Sequence, residues 1–163
     1  MTIRNFQFSE EDDSWDDSAP WAAAGAIIIA KDTKRILLGY RSNAGDAPRC
    51  WGTFGGALEK GETPERALKR ELVEELGFHG PFVELYKINT FTKPDKSFSY
   101  HTYIAVVPSE FNPMLNWETA ASRWFENDDW PIPLHPGLRT LLERPDIQSD
   151  LSKALRKRSY KER

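Results

Sequence analysis

Apolar stretches alternate with polar turns along most of the chain, and this pattern predicts a protein that mixes strands with helices. Aliphatic and β-branched residues fill positions 22–30 and 35–40, which should form a hairpin around the polar turn at 31–34. The other apolar stretches are interrupted by glycine or flanked by turn residues, as is typical of strands. These further predicted strands are 51–58, 82–92, 98–107 and 122–125.

One helix is marked at both ends by residues that suit helix termini. Thr63 is a favourable N-cap, Pro64 suits the first helical position, and Gly77 suits the stop that follows. Between them, leucines recur at four-residue spacing and form an apolar stripe that would pack on a sheet. These leucines are Leu68, Leu72 and Leu76. A second helix is expected at 135–142, and Ile147, Leu151 and Leu155 predict an amphipathic C-terminal helix.

Length and charge limit the classes of protein that fit. The 163 residues suit a single folded domain, and the net charge of −3 argues against a generally basic nucleic-acid binder. The longest apolar run, 21–30, falls well short of the roughly 20 residues that span a bilayer. Cys50 is the single cysteine, so no intramolecular disulfide forms. We therefore expect a soluble, cytoplasmic protein with no membrane partner.

Composition divides the chain into three parts. An acidic N-terminal segment at 1–20 precedes a central domain at 21–145, and a basic helix or tail follows at 146–163. The charged ends are interpreted as solvated segments, although opposite charges would also allow them to pair. Whether the chain forms a homodimer is left open.

Three glutamates share one face of the predicted helix. They stand at i, i+3 and i+4 and are Glu71, Glu74 and Glu75. Like charges this close repel one another, so water and salt or a divalent cation must offset the repulsion. Oxygen ligands at this spacing suit Mg²⁺, with Mn²⁺ as an alternative. Arg70 beside the cluster and the flexible Gly55-Gly56 pair before it favour the cation.

The segment 56–78 resembles the Nudix box, in which a glycine, five residues, a glutamate and seven residues precede an Arg-Glu-rich helix. The positions that match are Gly56, Glu62, Arg70, Glu71, Leu72, Glu74, Glu75, Gly77 and Phe78. The resemblance implies an α/β fold, a Nudix-type α/β/α sandwich around a mixed β-sheet. It also implies Mg²⁺-dependent hydrolysis of a nucleoside diphosphate linked to another moiety, such as ADP-ribose or a nucleotide sugar.

The resemblance also assigns roles to residues. The metal ligands would be the carbonyl of Gly55 and the carboxylates of Glu71, Glu74 and Glu75. Arg70 and Glu62 match the pair that orients these carboxylates. The base that activates water would be Glu71 or a glutamate on a late loop, for which Glu118 is the candidate. Glu110 and Glu126 are nearby competitors.

Residues outside the box would choose the substrate, a small-molecule nucleotide. Arg41 is a candidate phosphate ligand, and Trp51 is a candidate platform for the base. Phe54 stands where many family members have proline, so it bears on loop geometry and substrate choice. Further candidates are Arg49, Lys93 and Lys96 for phosphate, and Phe91, Tyr100, Trp117 and Trp124 for stacking. The three histidines, by contrast, are expected to be structural or exposed.

Three alternatives remain open at this stage. The substrate could be a nucleoside triphosphate or the 5′ end of an RNA rather than ADP-ribose. The chain could also be a catalytically idle module that binds a nucleotide or a protein, which its complete set of box glutamates disfavours.

Overall fold

A computed structural model of the chain describes residues 21–43 and 47–156. The predicted acidic segment 1–20 and the last part of the predicted basic segment, 157–163, lie outside the described residues.

Strands and helices follow one another in the predicted order. The strands are β1 (Trp21–Ala30), β2 (Ile36–Arg41), β3 (Trp51–Gly52), β4 (Phe54–Ala57), β5 (Glu84–Thr92), β6 (Phe98–Val107) and β7 (Thr119–Phe125). The helices are α1 (Pro64–Leu76), α2 (Pro136–Leu142) and α3 (Pro145–Leu155).

The strands form one mixed sheet of seven strands, within which the order β3-β2-β1-β6-β5 runs across the molecule. The central strands β1 and β6 are parallel along their full length, whereas the other pairings are antiparallel. β4 adds to β1, and β7 adds to β2. The mixed sheet is therefore confirmed.

Helices cover both faces of this sheet, which explains why β1 is apolar at nearly every position. Alternate residues of β1 contribute to two separate core clusters. One cluster contains the leucine stripe of α1, and the other contains Leu138 of α2 and Leu151 of α3. The expected α/β/α sandwich is thus the observed architecture.

The signals at the ends of α1 act as predicted. The Thr63 hydroxyl accepts a hydrogen bond from the backbone N–H of Arg66 at 3.2 Å. At the other end Gly77 adopts a left-handed conformation with φ 67°, and its N–H reaches the carbonyls of Leu72 and Val73. Both ends of the glutamate-bearing helix are therefore fixed by local sequence.

Two strand boundaries differ from the prediction. The stretch predicted as one strand at 51–58 is divided at Thr53 into β3, which pairs with β2, and β4, which pairs with β1. β7 begins at Thr119 rather than at 122, because its pairing with β2 extends into the predicted loop. Both differences arise from partner strands that are distant in sequence.

The residues of the C-terminal amphipathic pattern form α3, which packs on one of the two core clusters of the sheet. Ile147 and Leu151 are 0% and 4% exposed, and Leu151 belongs to the core cluster that includes Ile27 and Ile104. Among the described residues, no helix combines the length and apolar character that crossing a bilayer requires.

We expect Leu151→Ala to lower the free energy of unfolding by about 2–5 kcal/mol, because it leaves a cavity between α3 and the sheet. Urea denaturation followed by circular dichroism measures this change. The control is Lys153→Ala on the exposed side of α3, which should change stability by less than about 0.5 kcal/mol. Equal stability of Leu151→Ala and wild type would show that α3 is not part of the cooperative core.

Candidate active site

Two consecutive glycines create the space in which the site is built. Gly55 and Gly56 lie in β4, whose antiparallel pairing with β1 places Gly55 opposite Gly25. A Cβ atom on Gly55 would overlap the carbonyl oxygen of Ala24, and one on Gly56 would overlap the carboxyl group of Glu71. Glycine at these positions therefore lets α1 approach the sheet with a carboxyl group between them.

Glu71 and Glu75 form a buried carboxyl pair on the sheet-facing side of α1. They are 1% and 2% exposed, and their side chains are joined by a hydrogen bond. Burial raises the pKa of both groups, and the charges of Glu71 and Glu118 raise it further for Glu75. Two buried carboxyl groups in contact cannot both be ionised without a large electrostatic cost, so the pair takes up a proton more readily than two separate glutamates would.

Arg70 holds the acidic cluster together from one side. Its Nε and Nη2 atoms donate to the two oxygens of Glu62 at 2.8 and 2.9 Å, and Nη1 donates to Glu71 at 3.1 Å. Nη2 also donates to the carbonyl of Ala57 at 2.9 Å. The Arg70 guanidinium holds the pKa of Glu62 below its usual range. The predicted pairing of Arg70 with Glu62 is thus present, and it fixes the position of Glu71.

Glu74 is placed differently from the other two box glutamates. Its side chain is 49% exposed, and its carboxylate accepts hydrogen bonds from Arg70 Nη1 at 3.3 and 3.4 Å. Across the described ranges, no three His, Cys, Asp or Glu side chains are arranged so that together they could hold a metal ion. In this arrangement the helix buries two of the three carboxyl groups and leaves Glu74 at the solvent edge.

The donor set nevertheless fits a divalent cation. Two buried carboxyl groups in contact would repel strongly if both were ionised, and this raises the pKa of Glu75. A hard cation with oxygen ligands would stabilise both charges. Glu71, Glu75 and the carbonyl of Gly55 are the groups that could hold such an ion. Glu74, which accepts from Arg70 at the solvent edge, is a further candidate.

Glu118 reaches the same cluster from the start of β7. Its backbone is fixed by two hydrogen bonds, from its N–H to Asn116 Oδ1 and from Ser42 N–H to its carbonyl, both 3.0 Å. The charge of Glu118 contributes to the raised pKa of Glu75, so its half-buried carboxylate lies near the carboxyl pair. Of its competitors, Glu110 binds Arg35 through two hydrogen bonds of 2.6 and 2.7 Å.

A cavity of about 520 Å³ opens between the sheet and α2. One wall is formed by the end of β5 and the start of β6, and the opposite wall is formed by α2 with its flanking residues. Arg41 and Thr53 lie on its lining together with Tyr100. Burial raises the pKa of Tyr100, and so do the charges of Glu75 and Glu71. Its hydroxyl packs against Gly25, which pairs with Gly55, so this residue connects the cavity with the glycine pair of the site.

A β-bulge decides which side chains of β5 face the cavity. Lys87 pairs with Tyr103 and Asn89 pairs with Thr102, so Ile88 is the additional residue of β5. A shift of one residue exchanges the two faces of a strand. The bulge therefore turns Asn89 and Phe91 into the cavity, where an unbroken strand would have presented their neighbours.

The three predicted substrate-binding residues lie in different parts of the structure. Arg41 lines the cavity, where its Nε donates to the carbonyl of Ala47 at 3.1 Å. Phe54 is 1% exposed in the core, where its ring packs against Gly39 of β2, and it does not line the cavity. Trp51 packs against Tyr40 and edge-on to Phe125, with ring centroids 5.2 and 5.1 Å apart, and it does not line the cavity.

The further candidates for base stacking and phosphate binding differ in whether they line the cavity. Phe91 and Tyr100 line the cavity, while Trp124 packs against Phe111 in the core and Trp117 is exposed. The candidate phosphate ligands Arg49, Lys93 and Lys96 are exposed and do not line the cavity.

Sequence reasoning missed several cavity residues, which include Asn89, His135 and Arg144. Neither the spacing of His135 in the sequence nor its position just before α2 indicated a role in ligand binding. Its Nδ1 accepts a hydrogen bond from the N–H of Gly137 at 3.0 Å, and burial lowers its pKa. The asparagine was not identifiable because the bulge that directs it depends on pairing with β6.

Comparisons with known proteins agree with this arrangement. Residues 19–144 match the family model described as the NUDIX domain. A putative 8-oxo-dGTP diphosphatase 3 from Mycobacterium tuberculosis is 30% identical over 132 residues, which cover 76% of this chain and 61% of that protein. An 8-oxo-dGTP diphosphatase from Haemophilus influenzae is 40% identical over 82 residues, covering 50% of this chain and 59% of that protein. The chain thus spans about three fifths of these curated relatives.

Among solved structures, the crystal structure of a MutT NUDIX hydrolase from Burkholderia pseudomallei is similar, with a TM-score of 0.59 and 28% identity. The match covers 78% of this chain and 98% of that one. The Nudix box, the sandwich fold and the match of residues 19–144 to the family model agree with one another. The chain therefore belongs to the NUDIX family.

Proposed function

We propose that the protein is a Mg²⁺-dependent pyrophosphohydrolase, with Mn²⁺ as a possible substitute, that cleaves a nucleoside diphosphate linked to another moiety. The observation that carries this proposal is the position of Tyr100, which lines the cavity and whose hydroxyl packs against Gly25, the strand partner of Gly55 in the glycine pair that receives the Glu71 carboxyl. A nucleotide whose base and sugar occupy the cavity would bring its phosphates toward Glu71 and Glu75.

Each part of the carboxyl cluster has a role in this proposal. Glu71, Glu75 and the Gly55 carbonyl would hold the cation, with Glu74 as a further ligand at the solvent edge. When bound, magnesium neutralises phosphate charge and lowers the pKa of a coordinated water. Arg70 and Glu62 keep Glu71 in place through the hydrogen bonds described above. Preorganised ligands of this kind avoid rearrangement during the reaction.

Glu118 is the proposed base that accepts the proton of the attacking water. Its carboxylate lies near Glu75, whereas Glu71 is already bound to Arg70 and faces the cation position. A carboxylate in this role contributes roughly 10² to 10⁴ in rate. Arg41, on the cavity lining, is placed to attract the phosphates, and Phe91 offers a ring to the base.

A nucleoside triphosphate is the second candidate substrate, since it too contains a nucleoside diphosphate linked to a further group. It is favoured by the two relatives that are described as 8-oxo-dGTP diphosphatases. The net charge of −3 fits a cytoplasmic enzyme that acts on small nucleotides rather than on RNA. The idle-module alternative is disfavoured because every box glutamate is retained.

With Mg²⁺, the protein should hydrolyse at least one member of a panel of nucleotide sugars, ADP-ribose, dinucleotides and nucleoside triphosphates. The products should be those of phosphoric anhydride cleavage, identified by chromatography. Activity should disappear when EDTA removes divalent cations and return when Mg²⁺ is restored. Absence of turnover across the whole panel with either Mg²⁺ or Mn²⁺ would contradict the proposal.

Glu75→Gln should lower kcat/KM by roughly 100-fold or more, because the amide cannot replace a carboxylate as a ligand of a hard cation. Its fold should persist, since the substitution removes a buried ionisable group from a like-charged pair. Steady-state kinetics and thermal unfolding measure the two effects.

The matched control is Glu65→Gln, the same change on the same helix. Glu65 is exposed and forms an i,i+4 ion pair with Lys69 at 3.3 Å. It should keep activity within a factor of about two, because an exposed pair contributes little. Similar activity of the two variants would argue against a cation at the carboxyl pair.

A further inference from the structure

Tyr100 belongs both to the cavity and to the protein interior. The residue lines the cavity between the sheet and α2. Its hydroxyl lies against Gly25 of β1, where a Cβ atom would overlap it. Burial raises the pKa of this phenol, so it stays neutral and keeps its proton. A buried neutral hydroxyl needs a hydrogen-bond partner, because leaving it unpaired costs free energy.

That partner is Thr53. The side chains of Tyr100 and Thr53 share a hydrogen bond, and both residues line the cavity. Removing either hydroxyl would leave the other without this bond, so the two side chains hold each other in place. The contact joins β6 to the residue that lies between β3 and β4.

Thr53 occupies the point at which the chain changes its partner strand. β3 ends at Gly52 and pairs with β2, whereas β4 begins at Phe54 and pairs with β1. Thr53 belongs to neither strand. Its bond to Tyr100 therefore supplies a tether where the regular strand pairing is interrupted.

This tether lies just before a proposed ligand of the cation, the carbonyl of Gly55. Gly55 follows Thr53 by two residues and pairs with Gly25, on which the Tyr100 hydroxyl rests. Phe54, between them, is 1% exposed in the core, so this short segment has little freedom to absorb a displacement. Tyr100 thus contacts both the residue that precedes β4 and the strand partner of Gly55.

From this geometry we infer that Tyr100 is a positioning residue, which holds the Gly55 carbonyl in place for the cation through Thr53 and Gly25. The inference rests on the proposed function, since it concerns the cation of the same site. Without the hydroxyl, β4 could adopt other arrangements around Gly55. The apparent affinity for the cation would then fall in proportion to the fraction of molecules that stay competent.

The test is a calorimetric titration of Mg²⁺ into the full chain without nucleotide. Tyr100→Phe keeps the ring on the cavity lining and removes only the hydroxyl. It should raise the dissociation constant of Mg²⁺ about fivefold, as expected for the loss of one neutral hydrogen bond. In hydrolysis assays the Mg²⁺ concentration for half-maximal rate should rise by the same factor. At saturating Mg²⁺, the KM for the nucleotide should stay within a factor of about two of wild type.

Variants of the partner assign the effect to the hydrogen bond. Thr53→Val removes its hydroxyl at nearly constant shape and should weaken Mg²⁺ binding as Tyr100→Phe does. The double variant should bind Mg²⁺ no more weakly than either single variant, because both substitutions break the same bond. Thr53→Ser keeps a hydroxyl and should bind Mg²⁺ as wild type does.

The matched control is Tyr103→Phe, the same change on the same strand. Tyr103 is 6% exposed and belongs to the core cluster under α1. This variant should keep the Mg²⁺ dissociation constant within a factor of about two of wild type. Circular dichroism checks that every variant is folded before titration.

The inference is overturned if Tyr100→Phe binds Mg²⁺ as wild type does, if it raises only the KM for the nucleotide, or if the effects of the two single substitutions add. Wild-type Mg²⁺ binding and hydrolysis that do not depend on Tyr100 would remove only this role. Mg²⁺ binding that depends on Tyr100, without hydrolysis of any member of the panel, would remove only the proposed reaction. Absence of Mg²⁺ binding by the wild type would overturn both.

Discussion

Two carboxyl groups pressed against each other in the protein interior are the constraint around which this molecule is organised. Glu71 and Glu75 are almost fully buried between α1 and the sheet, where ionising both would cost several kcal/mol. Folding alone gains nothing from this arrangement, because an apolar pair would pack there without electrostatic cost. Under the proposed function, this electrostatic cost is offset when the pair binds a cation.

The neighbouring structure accommodates this pair in three ways. The missing Cβ of Gly56 leaves room for the Glu71 carboxyl, and a hydrogen bond from Arg70 fixes it there. Tyr100, whose hydroxyl lies so close to β1 that a Cβ on Gly25 would overlap it, forms the boundary with the cavity. These three features belong to β4, α1 and β6, so the site is a property of the sheet as well as of the helix.

The parts that sequence predicted well are those determined by local spacing. Helix caps act within one turn, so the bounds of α1 followed from the order of residues. Periodicity likewise placed α3, because its apolar side needs only a core to pack on. The pairing of Arg70 with Glu62 and the mixed sheet were expected only through resemblance to a family.

The parts that sequence did not predict depend on contacts between distant segments. Helical spacing puts Glu74 near its neighbours, but only Glu71 and Glu75 face the sheet, and Glu74 stays at the solvent edge, where it accepts hydrogen bonds from Arg70. Phe54 lies in the core because β4 pairs with β1, and pairing with β6 creates the bulge before Asn89. Whether a side chain faces the core or the cavity changes with a single residue of register.

The central claim is that the buried pair exists to bind a divalent cation. The most direct measurement is a calorimetric titration of Mg²⁺ into the wild-type protein and into the double variant Glu71→Gln/Glu75→Gln, with folding of both checked by circular dichroism. The account predicts saturable binding to the wild type and its loss in the folded variant. Equal Mg²⁺ affinity in the two proteins would contradict it.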